Sequence, residues 1–274
     1  MTIRVAVAAA AGKMGKAIIA ALAEQSDLQL VAALGRPGAP YLGEDAGRLA
    51  GIADLGVPLS EQLLEALTQA DVLIDFSPAD AALCYLRAAA QSGCPVVLGS
   101  TGFSADQERE IRELSTKIPL LVAPNMSVGI NVLLAILPKV VATLGEEYDI
   151  EILEAHHSQK RDAPSGTALA LGRAVAAGRN TDLEALACWD RNGVSGPRGK
   201  GTIGFASLRA ADVVGEHSVW LAGAGERLEL THRASSRRNF AEGALRAARW
   251  VQGRTPGWYD MQDVLGLRSA AAVE

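Results

Sequence analysis

The chain has 274 residues, of which 49% are apolar and 21% charged, and its formal net charge is −5. This composition excludes a disordered chain, and the negative charge gives no basis for nucleic acid or an anionic membrane surface as a partner. At this length we expect one large domain or two smaller ones. Cys84, Cys94 and Cys188 lack metal-ligand spacing and are typical of reduced packing residues in a cytoplasmic protein.

An apolar run of strand length, residues 3–9, opens the chain and leads through small residues into a helical pattern. A signal peptide is the alternative, but a single Arg4 and a short apolar run favour a buried strand. The turn reads Ala9-x-x-Gly12-x-x-Gly15, with the first glycine of a G-x-x-G-x-x-G pattern replaced. Between a strand and a helix such a turn indicates dinucleotide binding, because the pyrophosphate can approach the helix N–H groups. A small-residue turn without a ligand is the alternative.

Apolar strands and helical patterns then alternate as far as residue 123. We predict strands at 28–34, 71–76, 95–98 and 119–123, and helices at 60–68, with Ser60 as the cap, at 78–91, and from a capping box of Ser104 with Gln107. This alternation predicts an α/β fold with a Rossmann-like, doubly wound parallel sheet. Ligands of such sheets lie beyond the carboxyl ends of the strands, where 76–78, 99–102 and 123–126 fall.

The end of the second strand bears on which dinucleotide is bound. A carboxylate at this place binds a ribose 2′-hydroxyl, whereas an arginine accommodates a 2′-phosphate. The chain has Gly35 and Arg36 here and no acid, and Lys13 and Lys16 add positive charge near the glycine turn. We therefore predict that NADPH is preferred and that NADH is possible, the alternative being that Arg36 is a solvated loop residue.

The pattern changes after residue 126. A long apolar helix at 128–144, too short for a membrane span, precedes strands at 148–157, 202–209, 216–221 and 227–231, the last two joined by a hairpin turn at 223–226. A further helix at 238–251 is expected to fold back on the first domain. We predict a dinucleotide-binding domain (1–126), a smaller α+β substrate-binding and oligomerisation domain (127–237) and a C-terminal helical segment (238–274).

Residues 154–167, EAHHSQKRDAPSGT, concentrate groups that can move a proton or hold an anion. Ser165 is a good helix N-cap, so the N–H groups of Gly166 and Thr167 are expected to be donors at a helix N-terminus. Such a terminus binds a carboxylate or phosphate, and Lys160 just before it supplies a full charge. An anionic group of a small substrate is the expected occupant.

Two of the four histidines, His156 and His157, are adjacent in this stretch. Histidine readily exchanges a proton near neutral pH, so either could be a general acid, although adjacent strand residues point to opposite faces. The alternatives are structural or solvated histidines and a solvated Lys160-Arg161 pair. The spacing does not favour a metal site. His217 and His232 are interpreted as sheet residues whose roles stay open.

These residues resemble a known family. The run 154–157 with Lys160 and 162–168 closely resembles the signature of the 4-hydroxy-tetrahydrodipicolinate reductases, also called dihydrodipicolinate reductases. The resemblance covers nearly the whole chain, and this central motif is highly specific whereas the glycine turn is not. Further matching segments are 12–15, 75–77, 99–103, 123–129, 204–209 and 215–217.

The resemblance implies hydride transfer from NADPH or NADH to the cyclic, dicarboxylated imine formed by loss of water from 4-hydroxy-tetrahydrodipicolinate. The product would be tetrahydrodipicolinate, in the diaminopimelate route to lysine. His156 is expected to protonate the reduced ring, Lys160 to be a second proton donor and anion contact, and His157, Gly166 and Thr167 to hold the carboxylates. The cofactor is expected to lie on Ala9, Ala10, Ala11, Gly12, Lys13, Met14, Gly35, Arg36, Gly99, Ser100, Thr101, Ala123, Pro124, Asn125 and Met126. The resemblance also implies a homotetramer that is assembled through the second domain.

The sequence departs from the family pattern twice. Ala9 stands where the family has its leading glycine, which adds a methyl group near the pyrophosphate, and the acid often found at the position of Gly35 is absent. The rival classes are a non-catalytic dinucleotide sensor, which could have lost His156 or Lys160, and another reductase of the same architecture, which should lack the run 160–167. Both histidine and lysine are present, as is the run.

Overall fold

The computed structural model describes residues 2–268, so that residue 1 and residues 269–274 of the expected C-terminal segment lie outside the described residues. In chain order the strands are β1 Ile3–Val7, β2 Leu28–Leu34, β3 Leu59–Ser60, β4 Val72–Asp75, β5 Val96–Leu98, β6 Pro119–Val122, β7 Asp149–His156, β8 Ala187–Cys188, β9 Ile203–Arg209, β10 Gly215–Gly223, β11 Glu226–Ala234 and β12 Gly257–Tyr259. The helices are α1 Lys13–Leu22, α2 Ala46–Ala50, α3 Leu63–Gln69, α4 Ala79–Ser92, α5 Ala105–Ser115, α6 Val128–Leu144, α7 Gly166–Gly178, α8 Leu183–Leu186, α9 Arg238–Val251 and α10 Met261–Leu265.

The chain divides into two compact units, of which the first takes residues 2–128 and 237–268 of the described part. Its sheet has the order β12-β6-β5-β4-β1-β2-β3, with every neighbouring pair parallel. Alternate residues of β1 face opposite ways, so Val5 and Val7 pack with α1 and α9, whereas Ala6 packs with α3, α4 and α5 on the other face. The predicted Rossmann-like, doubly wound sheet is therefore confirmed.

Most of the helices and strands predicted for this unit are present, and the capping box of Ser104 with Gln107 stands at the start of α5. The prediction that Ser60 caps a helix is wrong, because Ser60 ends the two-residue strand β3 and the helix begins at Leu63. The Ser60 hydroxyl accepts from the N–H of Gln62 at 3.0 Å, so it stabilises the turn before α3. In the sequence, a serine that caps a helix cannot be distinguished from a serine that stabilises the turn before it.

The second unit takes residues 129–236 of the described part. Its sheet has the order β11-β10-β7-β9-β8, with β10 antiparallel to both neighbours and β7 parallel to β9. Ile152 and Val219 pack against α6 and α7 on one face, which makes the unit α+β as predicted. This packing fixes which face each residue of β7 uses, including the residues at its carboxyl end. No helix in the described part of the chain is long and apolar enough to cross a membrane.

Candidate active site

The carboxyl end of β7 carries a hydrogen-bonded pair, a histidine and the glutamate two residues before it. Because strand residues two apart share a face, Glu154 and His156 point the same way, and Nδ1 of His156 lies 2.5 Å from Oε2 of Glu154. Only 12% of the His156 side chain and 1% of the Glu154 side chain are exposed. An imidazole is thus held at the end of a strand with its orientation fixed by a carboxylate.

Arg209 is the second partner of the buried carboxylate. Its Nη1 donates to Oε2 of Glu154 at 2.9 Å and its Nη2 to Oε1 at 2.8 Å, while the backbone N–H of Ser165 donates to Oε1 at 3.2 Å. Burial opposes ionisation of Glu154, but the hydrogen bonds from Arg209 and His156 outweigh it and lower the pKa of the carboxyl to about 2. Glu154 is therefore a carboxylate at neutral pH.

The environment of His156 favours the neutral imidazole. Burial lowers the pKa of His156 below its usual range, and the charges of Lys160 and Arg209 act in the same direction, while Glu154 opposes them. With Nδ1 donating to the carboxylate, Nε2 is the atom that can take up or release a proton. An anionic ligand nearby would favour the protonated imidazole, because an opposite charge stabilises the charged form.

Helix α7 begins beside this imidazole. Ser165 is its N-cap, with Oγ accepting from the N–H of Ala168 at 3.1 Å, as predicted. The first helical N–H groups belong to Gly166 and Thr167, at the positive end of the helix dipole. Space for a ligand exists here, because a Cβ on Gly166 would have nothing within 4 Å. A helix N-terminus of this kind is suited to a carboxylate.

The loop between β7 and α7 places the predicted cation. Lys160 is about one-fifth exposed, with Nζ 3.0 Å from Oδ1 of Asp162, and its N–H donates to the carbonyl of His157 at 3.1 Å. His157 itself is half-buried. The structure therefore brings the five expected catalytic and substrate-binding residues to one strand end and one helix start within the second unit: His156, His157, Lys160, Gly166 and Thr167.

Three further residues belong to this cluster, although no role could be assigned to them from the sequence. These are Glu154, Arg209 and His217, the last being 4% exposed, with Nε2 3.1 Å from Oγ of Ser165 and its ring 5.1 Å from that of His156. Burial lowers the pKa of His217 to about 3, so this ring is neutral. The i, i+2 spacing of Glu154 and His156 was the available signal; Arg209 and His217 come from strands that the sequence does not place next to β7.

The glycine turn lies at the carboxyl end of β1 in the first unit. Ala9 has φ 49°, in the left-handed region where a methyl group is strained and glycine is not. A Cβ on Gly15 would lie 2.7 Å from Cα of Ala10, so glycine is needed for the helix to approach the turn. Helix α1 begins at Lys13 without a side-chain cap among the described residues. Its first turn is thus suited to an anion such as a pyrophosphate.

The other expected cofactor residues lie at the same edge of the sheet, after β2, β5 and β6. Gly35 is buried, and a Cβ there would lie 2.9 Å from Cδ2 of Leu59, whereas Arg36 is exposed. The hydroxyl of Ser100, 6% exposed, has no hydrogen-bond partner among the described residues. This edge therefore combines a close-packed backbone, an exposed cation and an unsatisfied buried hydroxyl, which fits a dinucleotide. Within the described residues no group of three or more His, Cys, Asp or Glu could hold a metal ion.

A doubly wound parallel sheet with a glycine turn, together with an imidazole, an ammonium and a helix N-terminus in an α+β unit, defines a nicotinamide-dependent oxidoreductase. The family models described as dihydrodipicolinate reductase, N-terminus and C-terminus, match residues 3–126 and 129–265. The chain belongs to the dihydrodipicolinate reductase family.

Named relatives and solved structures agree with this assignment. The 4-hydroxy-tetrahydrodipicolinate reductases of Thiobacillus denitrificans and Alkalilimnicola ehrlichii are 52% and 51% identical to the chain, covering 98% and 97% of it and 100% of each relative. A dipicolinate-bound dihydrodipicolinate reductase from Paenisporosarcina sp. TG-14 has the same fold, with a TM-score of 0.76 and 24% identity over 96% of this chain and 99% of that one. An amine dehydrogenase from Mycobacterium smegmatis is similar at a TM-score of 0.58 and 15% identity, over 94% of each chain.

Proposed function

We propose that the chain reduces the cyclic imine derived from 4-hydroxy-tetrahydrodipicolinate to tetrahydrodipicolinate, in the diaminopimelate route to lysine. The observation that carries this proposal is the cluster at the end of β7. There an imidazole paired to Glu154, the ammonium of Lys160 and the first N–H groups of α7 lie within one short stretch of chain. That combination suits a small dicarboxylate that must receive a proton.

His156 is the group proposed to protonate the reduced ring, through Nε2, since Nδ1 is engaged by Glu154. Gly166 and Thr167 at the α7 N-terminus hold one carboxylate, and His157 contributes to carboxylate binding from the loop. Lys160 is both an anion contact and a second proton donor. The dicarboxylate would raise the proton affinity of His156 on binding, which counters the effect of burial.

The cofactor is proposed to lie along the carboxyl edge of the first unit's sheet. A reduced nicotinamide bound there would supply the hydride. The turn of Ala9, Ala10, Ala11 and Gly12, with Lys13 and Met14 starting α1, would hold the pyrophosphate through backbone N–H groups. Backbone and side-chain groups after β5 and β6 would hold the nicotinamide half: Gly99, Ser100, Thr101, Ala123, Pro124, Asn125 and Met126.

We propose that NADPH is preferred, because Arg36 is exposed at the end of β2 while a side chain at Gly35 would contact Leu59. Arg36→Ala is expected to raise the KM for NADPH about 10- to 100-fold, since a charge-assisted hydrogen bond contributes about 1.5–3 kcal/mol, and to leave the KM for NADH unchanged. Initial rates with each cofactor measure this. Lys13→Ala is the control and should weaken both cofactors alike; a similar rise for both from Arg36→Ala would contradict the assignment.

Thr167→Ala is expected to raise the KM for the imine about 10-fold while kcat changes less than about threefold. The hydroxyl is proposed to hold a carboxylate in both the ground state and the transition state, and loss of such uniform binding affects KM alone. Steady-state kinetics with saturating cofactor measure both constants. Thr167→Ser, which keeps the hydroxyl, should restore the KM, and equal effects of the alanine variant on kcat and KM would argue against this division of roles.

The reaction itself is tested by following NADPH oxidation with the freshly generated product of the preceding synthase. Substrate-dependent turnover is expected. No turnover under conditions in which a known reductase of the family works would overturn the proposed function. NADPH oxidation that requires an α-keto acid and ammonia in place of the cyclic imine would favour a different reductase of the same architecture.

A homotetramer assembled through the second unit, and a cytoplasmic location, are further parts of the proposal. The strand β11 supports the assembly, because it lies at the edge of its sheet and Leu228 on it is exposed. Sedimentation equilibrium is expected to give about four times the chain mass of 28.6 kDa. A monomer at micromolar concentration would be the contrary result.

A further inference from the structure

The carboxylate of Glu154 is more deeply buried and more completely hydrogen-bonded than a purely structural role would require. The residue is 2% exposed, and a buried carboxylate is costly unless it is paired and hydrogen-bonded. Both of its oxygens are engaged, by two guanidinium N–H groups of Arg209, by Nδ1 of His156 and by the N–H of Ser165. One of these partners, His156, is the proposed proton donor.

Register places these groups in two adjacent rows on one face of the sheet. His156 on β7 pairs with Arg209 on the parallel strand β9, while Glu154 pairs with Ser207 on the same strand. On the other side, a Cβ on Gly215 of β10 would lie 3.1 Å from Nε2 of His156, so glycine leaves the proton-carrying edge of the ring accessible. The imidazole is thus fixed from Nδ1, and the residue of β10 that faces Nε2 has no side chain to block it.

Ionisable groups face His156 from its own strand, from both neighbouring strands and from the loop before α7. Glu154 is on its own strand, Arg209 on β9, neutral His217 on β10, and Lys160, paired with Asp162, in the loop before α7. Glu154 is the acidic member of this set that contacts the ring directly. The guanidinium of Arg209, which donates to both oxygens of Glu154, neutralises part of the charge of the carboxylate. It therefore limits how strongly Glu154 can stabilise the protonated form of His156.

We infer that Glu154 is a positioning residue for His156: it fixes the tautomer and orientation of the ring, and Arg209 sets how tightly the pair holds its proton. This inference rests on the proposed function, because it assigns His156 the role of proton donor. It adds two residues to the reaction machinery, neither of which needs to touch substrate.

Glu154→Gln and Arg209→Gln are expected to shift the pH dependence of kcat in opposite directions. The proton donor is active when protonated, so kcat falls as pH rises through the pKa of His156. Loss of the carboxylate lowers that pKa, so the falling limb of the pH profile of kcat moves to lower pH by about one unit or more. At pH 7, kcat then falls about 10- to 100-fold. Loss of the guanidinium lets the Glu154–His156 pair hold its proton more tightly, which moves the limb to higher pH.

Glu151→Gln is the matched control, because Glu151 lies on the same strand, faces the other side of the sheet and is also paired with arginines, Arg191 and Arg198. The control is expected to keep the wild-type pH profile. Far-UV circular dichroism and thermal midpoints show whether each variant folds. If one variant does not fold, the direction in which the pH profile of the other variant shifts tests the inference.

Two results would overturn the positioning role and leave the proposed function intact, provided that the wild-type protein turns over substrate. One is a pH profile of kcat that does not shift in the folded variants, and the other is a shift in the same direction in both. Absence of wild-type turnover would overturn the proposed function and this inference together. A shift in Glu151→Gln equal to that in Glu154→Gln would also overturn the inference, because it would show a general effect of strand charge.

Discussion

His156→Gln is expected to lower kcat by about 100- to 10,000-fold, the range that a positioned general acid contributes, while the KM for the imine changes only a few-fold. Glutamine keeps a similar volume and can still donate a hydrogen bond to Glu154 through its amide N–H, but it cannot release a proton near neutral pH. Since the proton moves only in the transition state, its loss affects kcat and kcat/KM equally. Steady-state kinetics at saturating NADPH measure both constants.

His157→Gln is the contrast for this experiment, because the adjacent histidine is also half-buried but is proposed to bind a carboxylate. Its main effect should be on KM. If His156→Gln raised KM and left kcat near the wild-type value, or if the two variants behaved alike, the assignment of His156 as the proton donor would be wrong. A normal thermal midpoint in both variants would show that the kinetic changes do not reflect unfolding.

Lys160→Met is expected to lower kcat/KM about 100- to 1,000-fold. The ammonium is proposed to contact a substrate anion and to serve as a second proton donor, and these two roles affect binding and turnover together. Methionine keeps the length and much of the volume of the side chain. The ammonium lies in the loop before α7, 3.0 Å from Oδ1 of Asp162, with about one-fifth of the side chain exposed.

Arg161→Met removes the same formal charge from the neighbouring position, whose side chain is exposed. We expect this control to change kcat/KM less than about threefold, because exposed charges are screened by solvent and salt. Equal losses in the two variants would mean that the loop acts through its net charge rather than through a contact of Lys160.

Much of the fold could be predicted because its signals are local. The buried strands of the first unit are continuous apolar runs, Ser104 and Ser165 cap helices whose first turns they contact, and the hairpin between β10 and β11 turns at a glycine with φ 86°. The prediction for Ser60 was wrong, and the elements α2, α8, β3, β8, β12 and α10 were not predicted. Each of these has two to five residues, too few for a periodicity, and owes its conformation to tertiary neighbours.

The sequence by itself determined the residue types available for chemistry and their order along the chain, since His156, Lys160 and the cap at Ser165 lie within a single short stretch. Only the tertiary structure decided how these groups are charged and oriented. Arg209 reaches Glu154 across 55 positions, and His217 reaches Ser165 across 52, through strand pairings that no local pattern encodes. The physical reason is that ionisation depends on burial and on charges within a few ångströms, which sheet register and packing fix.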